Sequence, residues 1–338
     1  MATMRDVAEK AGVSITSVSH FINNTRPISD SLKEQIELAM TDLDFQPNAL
    51  ARSLRLKQTK SVGIIVPDSA NPFFANVTRS IEKALFANQY NVILGNSDGD
   101  LDRALLYLKV MTERQVDGLI FIDVGASGDV LNAALRSLNI PVILIDRIVP
   151  GVEVDYVTVT NIRGGFDATQ HLISLGHRRI ACLTGPRGLT ASMDRVAGYR
   201  QALSEADLPL DENLIYTGDF QFESGYDGAR QLLNLSPRPT AIFACNDLMA
   251  VGVMRAAAEL GIVVPSELSV VGFDDIPLAK FSAPALTTIA QPTEQIGILT
   301  ANRFLKRMQN QDLPPEQQIL ETELLIRQTT APALTKRG

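Results

Sequence analysis

The side chains that could do chemistry lie in short clusters spread along the chain. The first half holds Asn71-Pro72-Phe73-Phe74 and Asp146-Arg147. The second holds Asp194-Arg195, Gly218-Asp219-Phe220, Cys245-Asn246-Asp247, Gly272-Phe273-Asp274-Asp275 and Gln291. No Ser/His/Asp or Cys/His arrangement is legible, so no catalytic residue is assigned and the chain is not read as an enzyme. The residue types suit binding instead. A phenylalanine ring covers the apolar C–H face of a pyranose. Aspartate accepts pairs of hydroxyl hydrogens, while arginine, asparagine and glutamine hold donors in fixed directions. Charge buried in a cleft costs on the order of several kcal/mol unless paired. A polyhydroxyl ligand would supply the missing partners.

Most of these clusters follow a stretch that reads as a buried strand. Residues 61–66, Ser-Val-Gly-Ile-Ile-Val, form an apolar run without alternation, as a parallel strand covered on both faces does. Helical spacing over 74–87 leads to a strand at 90–94, 102–114 to 118–122, and 130–138 to 141–145. A second series places strands near 180–184, 215–216, 240–244 and 269–272. Two successive βα series imply two doubly wound α/β lobes, whose ligand belongs beyond the carboxyl ends of the strands. Thr160-Asn161, Ala290-Gln291 and roughly Thr322 read as crossings. The first lobe is then about 61–160 with 292–321, and the second about 161–291 with 322–338. Phe304, Leu305 and Met308 read as a helix packed on a lobe. The tail from Gln328 lacks leucine heptads, so no added tetramerisation helix is expected.

Residues 1–46 read as an all-α head. Thr3 precedes a helix with Val7, Ala8 and Ala11 on one face, and Gly12 stops it. After a turn at Val13-Ser14, residues 16–23 form a second helix with Val18, Phe21 and Ile22 inward. Thr16, Ser17, His20 and Asn23 then face outward, with Arg26 in the next turn. Ser31-Leu32-Lys33-Glu34 reads as a capping box for a third helix that buries Ile36, Ala39, Met40 and Leu43. Helix, glycine turn, helix is the helix-turn-helix signature, and small hydroxyls at the start of its second helix reach base edges in a major groove. Residues 47–60 read as a joint. Asn48 is a good N-cap, Ala51 and Leu54 share a face, and Arg52 and Arg55 share the next one. So short a helix is marginal alone in water. It is either an ordinary amphipathic linker or a minor-groove helix with Leu54 wedged between base steps.

Bulk properties narrow the class. The 338 residues allow two or three domains. The net charge of −7 argues against a protein that coats nucleic acid, yet residues 45–60 carry Arg52, Arg55, Lys57 and Lys60 and no acid. Local positive charge on an acidic body fits a small DNA reader. No apolar run is long enough to span a membrane. The N-terminus lacks an apolar signal core, and Cys182 and Cys245 read as reduced core residues, so a cytoplasmic protein is expected. His20, His171 and His177 have no metal-ligand spacing, and no metal or cofactor is assigned. Asn96-Ser97-Asp98-Gly99-Asp100 has acids spaced as in a calcium loop but lacks the terminal glutamate and the helix–loop–helix frame. Neither nucleotide-binding glycine fingerprint is present.

Taken together, Asp6-Val7-Ala8, Ala11-Gly12-Val13-Ser14, Thr16, Val18-Ser19 and Asn48-Ala49-Leu50-Ala51, in this order, resemble the LacI/GalR repressor family. That resemblance implies an N-terminal helix-turn-helix head with a hinge helix, followed by a periplasmic-binding-protein-like sensor of two doubly wound lobes. It makes Thr16, Ser17, His20 and Arg26 major-groove readers and Leu54 the minor-groove wedge, with Arg55 beside it and Asn23 and Ala51 on the same surfaces. Ile15 departs from the family pattern, which often has a polar residue there. It can touch a thymine methyl or tune half-site preference. The sensor clusters resemble those of ribose-binding proteins and ribose repressors. Residue by residue, the implied ligand shell is Asn71, Phe73, Phe74, Asp146, Arg147, Arg195, Phe220, Asn246, Asp274 and Gln291. Asn71-Pro72-Phe73-Phe74, Asp146-Arg147 and Gln291 discriminate best.

The expectation is therefore a homodimeric repressor on double-stranded operator DNA, released when a sugar, ribose favoured, closes the cleft. Three alternatives compete. A purine-responsive regulator shares the architecture but would want base-edge partners. A periplasmic sugar receptor would lack the head and carry a signal peptide. A Rossmann enzyme would show a cofactor fingerprint. The sign of the response, the sugar epimer and the operator are not legible.

Overall fold

The computed structural model describes residues 2–23, 26–46, 58–122, 129–146 and 154–334. The chain divides into two compact units, Met1–Thr59 and Lys60–Gly338.

The first unit holds α1 (Met4–Ala11), α2 (Ile15–Asn23) and α3 (Asp30–Asp42). Thr3 caps α1 in a reciprocal box with Asp6, and Gly12 ends it at φ 66, a left-handed conformation that glycine adopts without strain. Val7, Ala8, Val18, Ile36 and Ala39 form a small shared core, against which Phe21, Ile22, Met40 and Leu43 pack. The capping box expected at Ser31 is not formed. Helix α3 starts two residues earlier, with Ser29 at the N-cap and no side-chain cap bond. Ser31 lies inside the first turn, where Lys33 bonds Asp30 at 2.8 Å instead.

The second unit opens with β1 (Ser61–Val66), α4 (Pro72–Phe86), β2 (Asn91–Asn96), α5 (Leu101–Glu113), β3 (Gly118–Ile122), α6 (Asp129–Arg136), β4 (Val142–Ile145) and β5 (Asp155–Val159). Next come α7 (Asn161–Ser174), β6 (Ile180–Thr184), α8 (Thr190–Glu205), β7 (Ile215–Thr217), α9 (Phe222–Leu233), β8 (Ala241–Ala244), α10 (Asp247–Glu259), β9 (Ser269–Asp274), α11 (Pro277–Phe281) and β10 (Thr287–Ala290). It closes with α12 (Thr293–Gln309), β11 (Gln317–Leu320) and β12 (Glu323–Leu325). The strands form two sheets, ordered β11-β5-β4-β3-β1-β2 and β12-β10-β9-β8-β6-β7. All pairings are parallel except β10 with β12. The chain passes between the sheets after β5, after β10 and between β11 and β12. In each sheet the strand order reverses beside its first strand, which opens a crevice at the carboxyl ends.

Uninterrupted burial of Val62–Val66, Gly118–Ile122 and Ala241–Ala244 explains why these runs lack alternation: helices cover both faces. Four strands escaped the sequence reading, namely β5, β10, β11 and β12. Two of them are polar and nevertheless buried. Asp155 opens β5 at 2% exposure because Arg303 and Arg307 reach it at 2.7 and 2.6 Å. Thr287 and Thr288 on β10 are fully buried, their hydroxyls bonded to Arg327 N–H and to Asp247. Cys182 and Cys245 are buried free thiols with sulfurs 3.9 Å apart. No described helix is long and apolar enough to cross a membrane.

Candidate functional site

In the head, Ser14 sets the start of α2. Its Oγ accepts the Ser17 N–H at 3.0 Å and lies 2.9 Å from Ser17 Oγ. With Val18 fully buried, Ile15, at 43% exposure, and Thr16 stand in solvent, and Ser17 and His20 are half-buried at helical spacing beside them. Arg26 is exposed. Asn23 differs from the expectation of a free outward amide: it folds back to donate to Ser19 O at 2.6 Å. Thr16, Ser17 and His20 thus share one helix face, whereas Asn23 is engaged by its own helix. Ala51, Leu54 and Arg55 lie outside the described residues.

In the second unit the expected shell gathers at one place. Asn71, Phe73, Phe74 and Asp146 come from the first sheet's strand ends. Arg195, Phe220, Asn246 and Asp274 come from the second sheet and its helices. Together with Ala191 they line a cavity of about 20 Å³. Arg147 lies outside the described residues. Gln291 is not on the wall but behind Asp274, to which its Nε2 donates at 2.7 Å, while its buried Oε1 has no partner.

Local sequence explains the placement. Asn71 accepts the Phe73 N–H at 3.0 Å as the N-cap of α4, with Pro72 preset at the first helical position. The two rings that follow meet edge to face, with centroids 5.2 Å apart. Asn246 caps α10 through Met249 N–H at 3.0 Å and donates to Phe220 O at 2.8 Å, which leaves one amide hydrogen for a ligand. Asp146, Phe220 and Asp274 have φ of 57°, 68° and 120°. Such conformations cost on the order of 1–3 kcal/mol each and collect at ligand sites.

Arg195 is the hub. It is 3% exposed, lies 3.7 Å from the centroid of the Phe273 ring, and donates to Asn161 Oδ1 at 2.8 Å and to Cys245 O at 2.7 Å. Asp274 and Asp146 stand 3.5 and 3.9 Å from its guanidinium. Asn161 also donates to Asp146 at 3.2 Å. Two buried carboxylates therefore share one cation, an arrangement short of donors that hydroxyl groups would complete. A second cavity of about 520 Å³ shares Asp146 and includes Asp194, Glu205 and Arg163. Its one arginine is already paired with Asp167, and neither Arg195 nor any of Phe73, Phe74 and Phe220 lines it.

Sequence reasoning missed four contributors. Asn161 was read only as a crossing, and Phe273 only as part of a run. Asp247 was not placed in the shell. At Gly185 a Cβ would fall 2.0 Å from the Phe220 ring, so a side chain there would displace that wall. Only the glycine following β6 hinted at this last contact.

Burial raises the Asp146 carboxyl above its usual range, opposed by Arg195 and Asn161. Burial lifts Asp274 from 3.8 to about 7, against the pull of Arg195 and Gln291 and with Asp146 adding to the rise. A raised folded-state value means that this group's contribution to stability is full below pH 3.8 and is lost as pH climbs through about 7. Asp274→Asn cannot ionise. Its melting temperature relative to wild type is therefore expected to rise between pH 5 and 8, and a pH-independent difference would contradict this.

The fold and site define a ligand-controlled DNA-binding regulator: a helix-turn-helix head joined to a two-sheet sensor. Residues 3–48 match the profile of bacterial regulatory proteins of the lacI family, and 169–330 match that of the periplasmic binding protein-like domain. The ribose operon repressor of Escherichia coli (strain K12) is 38% identical over 331 residues, 98% of this chain and 100% of its own. The lac repressor dimer bound to operator and the anti-inducer ONPF is similar at TM-score 0.87 and 29% identity, covering 98% of this chain and 99% of that one. A LacI family regulator from Enterococcus faecium with bound ribose is similar at TM-score 0.75 and 33% identity, covering 81% of this chain and 100% of that one. The chain belongs to the LacI family, whose members are DNA-binding regulators rather than enzymes.

Proposed function

We propose that this protein is a cytoplasmic, homodimeric repressor of a sugar-utilisation operon, released from its operator by D-ribose bound between the two sheets of the sensor. The convergence of Asp146, Arg195 and Asp274 with three phenylalanine rings on one cavity carries this reading. The rings cover the sugar's C–H faces, while the two carboxylates and the guanidinium exchange their incomplete pairing for its hydroxyls. The ribose bound by the Enterococcus faecium relative and the name of the Escherichia coli relative support ribose over other polyols.

A cavity of about 20 Å³ has room for roughly one water, so the walls must part to admit a pentose. The bond from Gln221 Nε2 to Asp68 Oδ2, 3.2 Å long, links the two halves next to Phe220 and Asn71 and breaks on that opening. Sugar then re-closes the cleft in an arrangement that weakens DNA binding. A preference of about 1–3 kcal/mol for that state is a typical coupling.

Thermal unfolding with D-ribose and with hypoxanthine tests the ligand. A ligand selective for the native state raises the melting temperature with concentration. D-ribose alone is expected to do so. A shift with hypoxanthine alone would keep the regulator, discard the sugar, and make Phe73, Phe74 and Phe220 base-stacking residues.

On the DNA side, Thr16, Ser17, His20 and Arg26 read the major groove, and Leu54 with Arg55 and Ala51 occupies the minor groove. Leu54→Ala is expected to weaken operator binding by about tenfold or more while D-ribose affinity stays near wild type, because a wedge repays the unstacking of a base step. Equal operator affinity would remove the wedge.

A further inference from the structure

Asp247 does not line the cavity, yet it is the most deeply buried carboxyl near it, with no exposed surface at the first residue of α10. Its Oδ1 accepts the Thr288 hydroxyl at 2.5 Å, and its Oδ2 accepts the Ile276 N–H at 2.8 Å. Each partner stands close in sequence to a shell residue. Ile276 follows Asp274 by two positions, across a turn in which Asp274 and Asp275 have φ of 120° and 58°. Thr288 lies three residues before Gln291, whose amide holds Asp274 Oδ1 at 2.7 Å. Asp247 itself adjoins Asn246, which is tied to Phe220 O.

The fit around this carboxyl is tight. A Cβ at Gly272 would stand 2.2 Å from Asp247 Oδ1, so the group is pressed against the backbone of β9. The cations nearby are committed elsewhere: Arg195 to Asp146 and Asp274, and Arg327 to Asp275. Burial, and then the charge of Asp274, hold the Asp247 proton on well above the ordinary range. A neutral acid keeps both hydrogen bonds, and its amide can do the same, accepting from Ile276 N–H and donating to Thr288 Oγ1.

We propose that Asp247 is a positioning residue for effector recognition: it clamps the turn after β9 to β10 and so aims Asp274 at the ligand without touching the ligand. This rests on the sugar reading above. The test is calorimetric titration of D-ribose into the wild-type full chain, Asp247→Asn, Asp247→Ala and Thr288→Val, with thermal unfolding of each. Asp247→Asn should bind D-ribose within about threefold of wild type. Asp247→Ala and Thr288→Val should lose about tenfold or more, the cost of an unmet buried hydrogen bond, while remaining folded at the assay temperature. Thr288→Val decides the matter if the alanine variant does not fold. Wild-type affinity in the folded variants that lack the tie overturns the positioning role. So does an Asp247→Asn variant as weak as Thr288→Val, because the amide preserves the geometry. Absence of D-ribose binding by the wild type overturns the sugar reading and this inference with it.

Discussion

Arg195→Met should lose D-ribose recognition and should be destabilised at neutral pH by about 3–5 kcal/mol, the usual cost of stripping one partner from buried charges. The substitution leaves Asp146 and Asp274, at 6% and 5% exposure, without their shared cation. It also removes the face stacked on Phe273 and the donors to Asn161 and Cys245 O. Much of the stability loss should return near pH 5. Both carboxyls already sit above their usual range through burial, with Arg195 pulling them down. Without the arginine they take up protons more readily, and the charge penalty fades. Urea unfolding at pH 5 and 7.5 reads the difference. A variant as stable as wild type at both values would mean that Arg195 is not the hub.

Gly165→Val should have the second-largest effect, although Gly165 does not line the cavity. A Cβ on Gly165 would lie 2.1 Å from Arg195 O, and one on Gly198 would lie 2.0 Å from Ile162 O. Both obstacles are backbone, which cannot rotate aside, so α7 and α8 must separate. Overpacking of this kind costs roughly 1–3 kcal/mol and occasionally more. Because α8 carries Arg195 and α7 carries Asn161, the separation should also weaken D-ribose binding in the molecules that remain folded. Chemical unfolding combined with ribose titration distinguishes the two effects. Unchanged stability would show that the helix crossing has slack.

The parts legible in the sequence are those whose cause is local. Val62–Val66 announces a covered parallel strand because every side chain is apolar. Val18, Phe21 and Ile22 face inward because a helix repeats every 3.6 residues. Strand ends bring Asn71, Phe73, Asp146 and Asp274 to one cavity because α/β sheets open a crevice at those ends. What escaped depends on partners far along the chain. Asp155 looks like a surface residue until Arg303 and Arg307 arrive from about 150 positions away. Thr287 and Thr288 belong to no strand in the sequence reading, because only the fold brings Asp247 and Arg327 to satisfy their hydroxyls. Asn161 joins the shell only because Arg195 and Asp146 converge on its amide. The Ser31 box failed for a smaller reason: Ser29, two residues earlier, already occupied the cap.

Sugar control of DNA affinity is tested most directly by fluorescence anisotropy on a labelled duplex selected by this protein from a random-sequence pool, titrated with D-ribose. Ribose-controlled release predicts dissociation at rising D-ribose, no effect of hypoxanthine, and no response in Asp146→Ala, which should still bind the duplex. Tighter binding or no change with D-ribose, alongside a response to hypoxanthine, would contradict it.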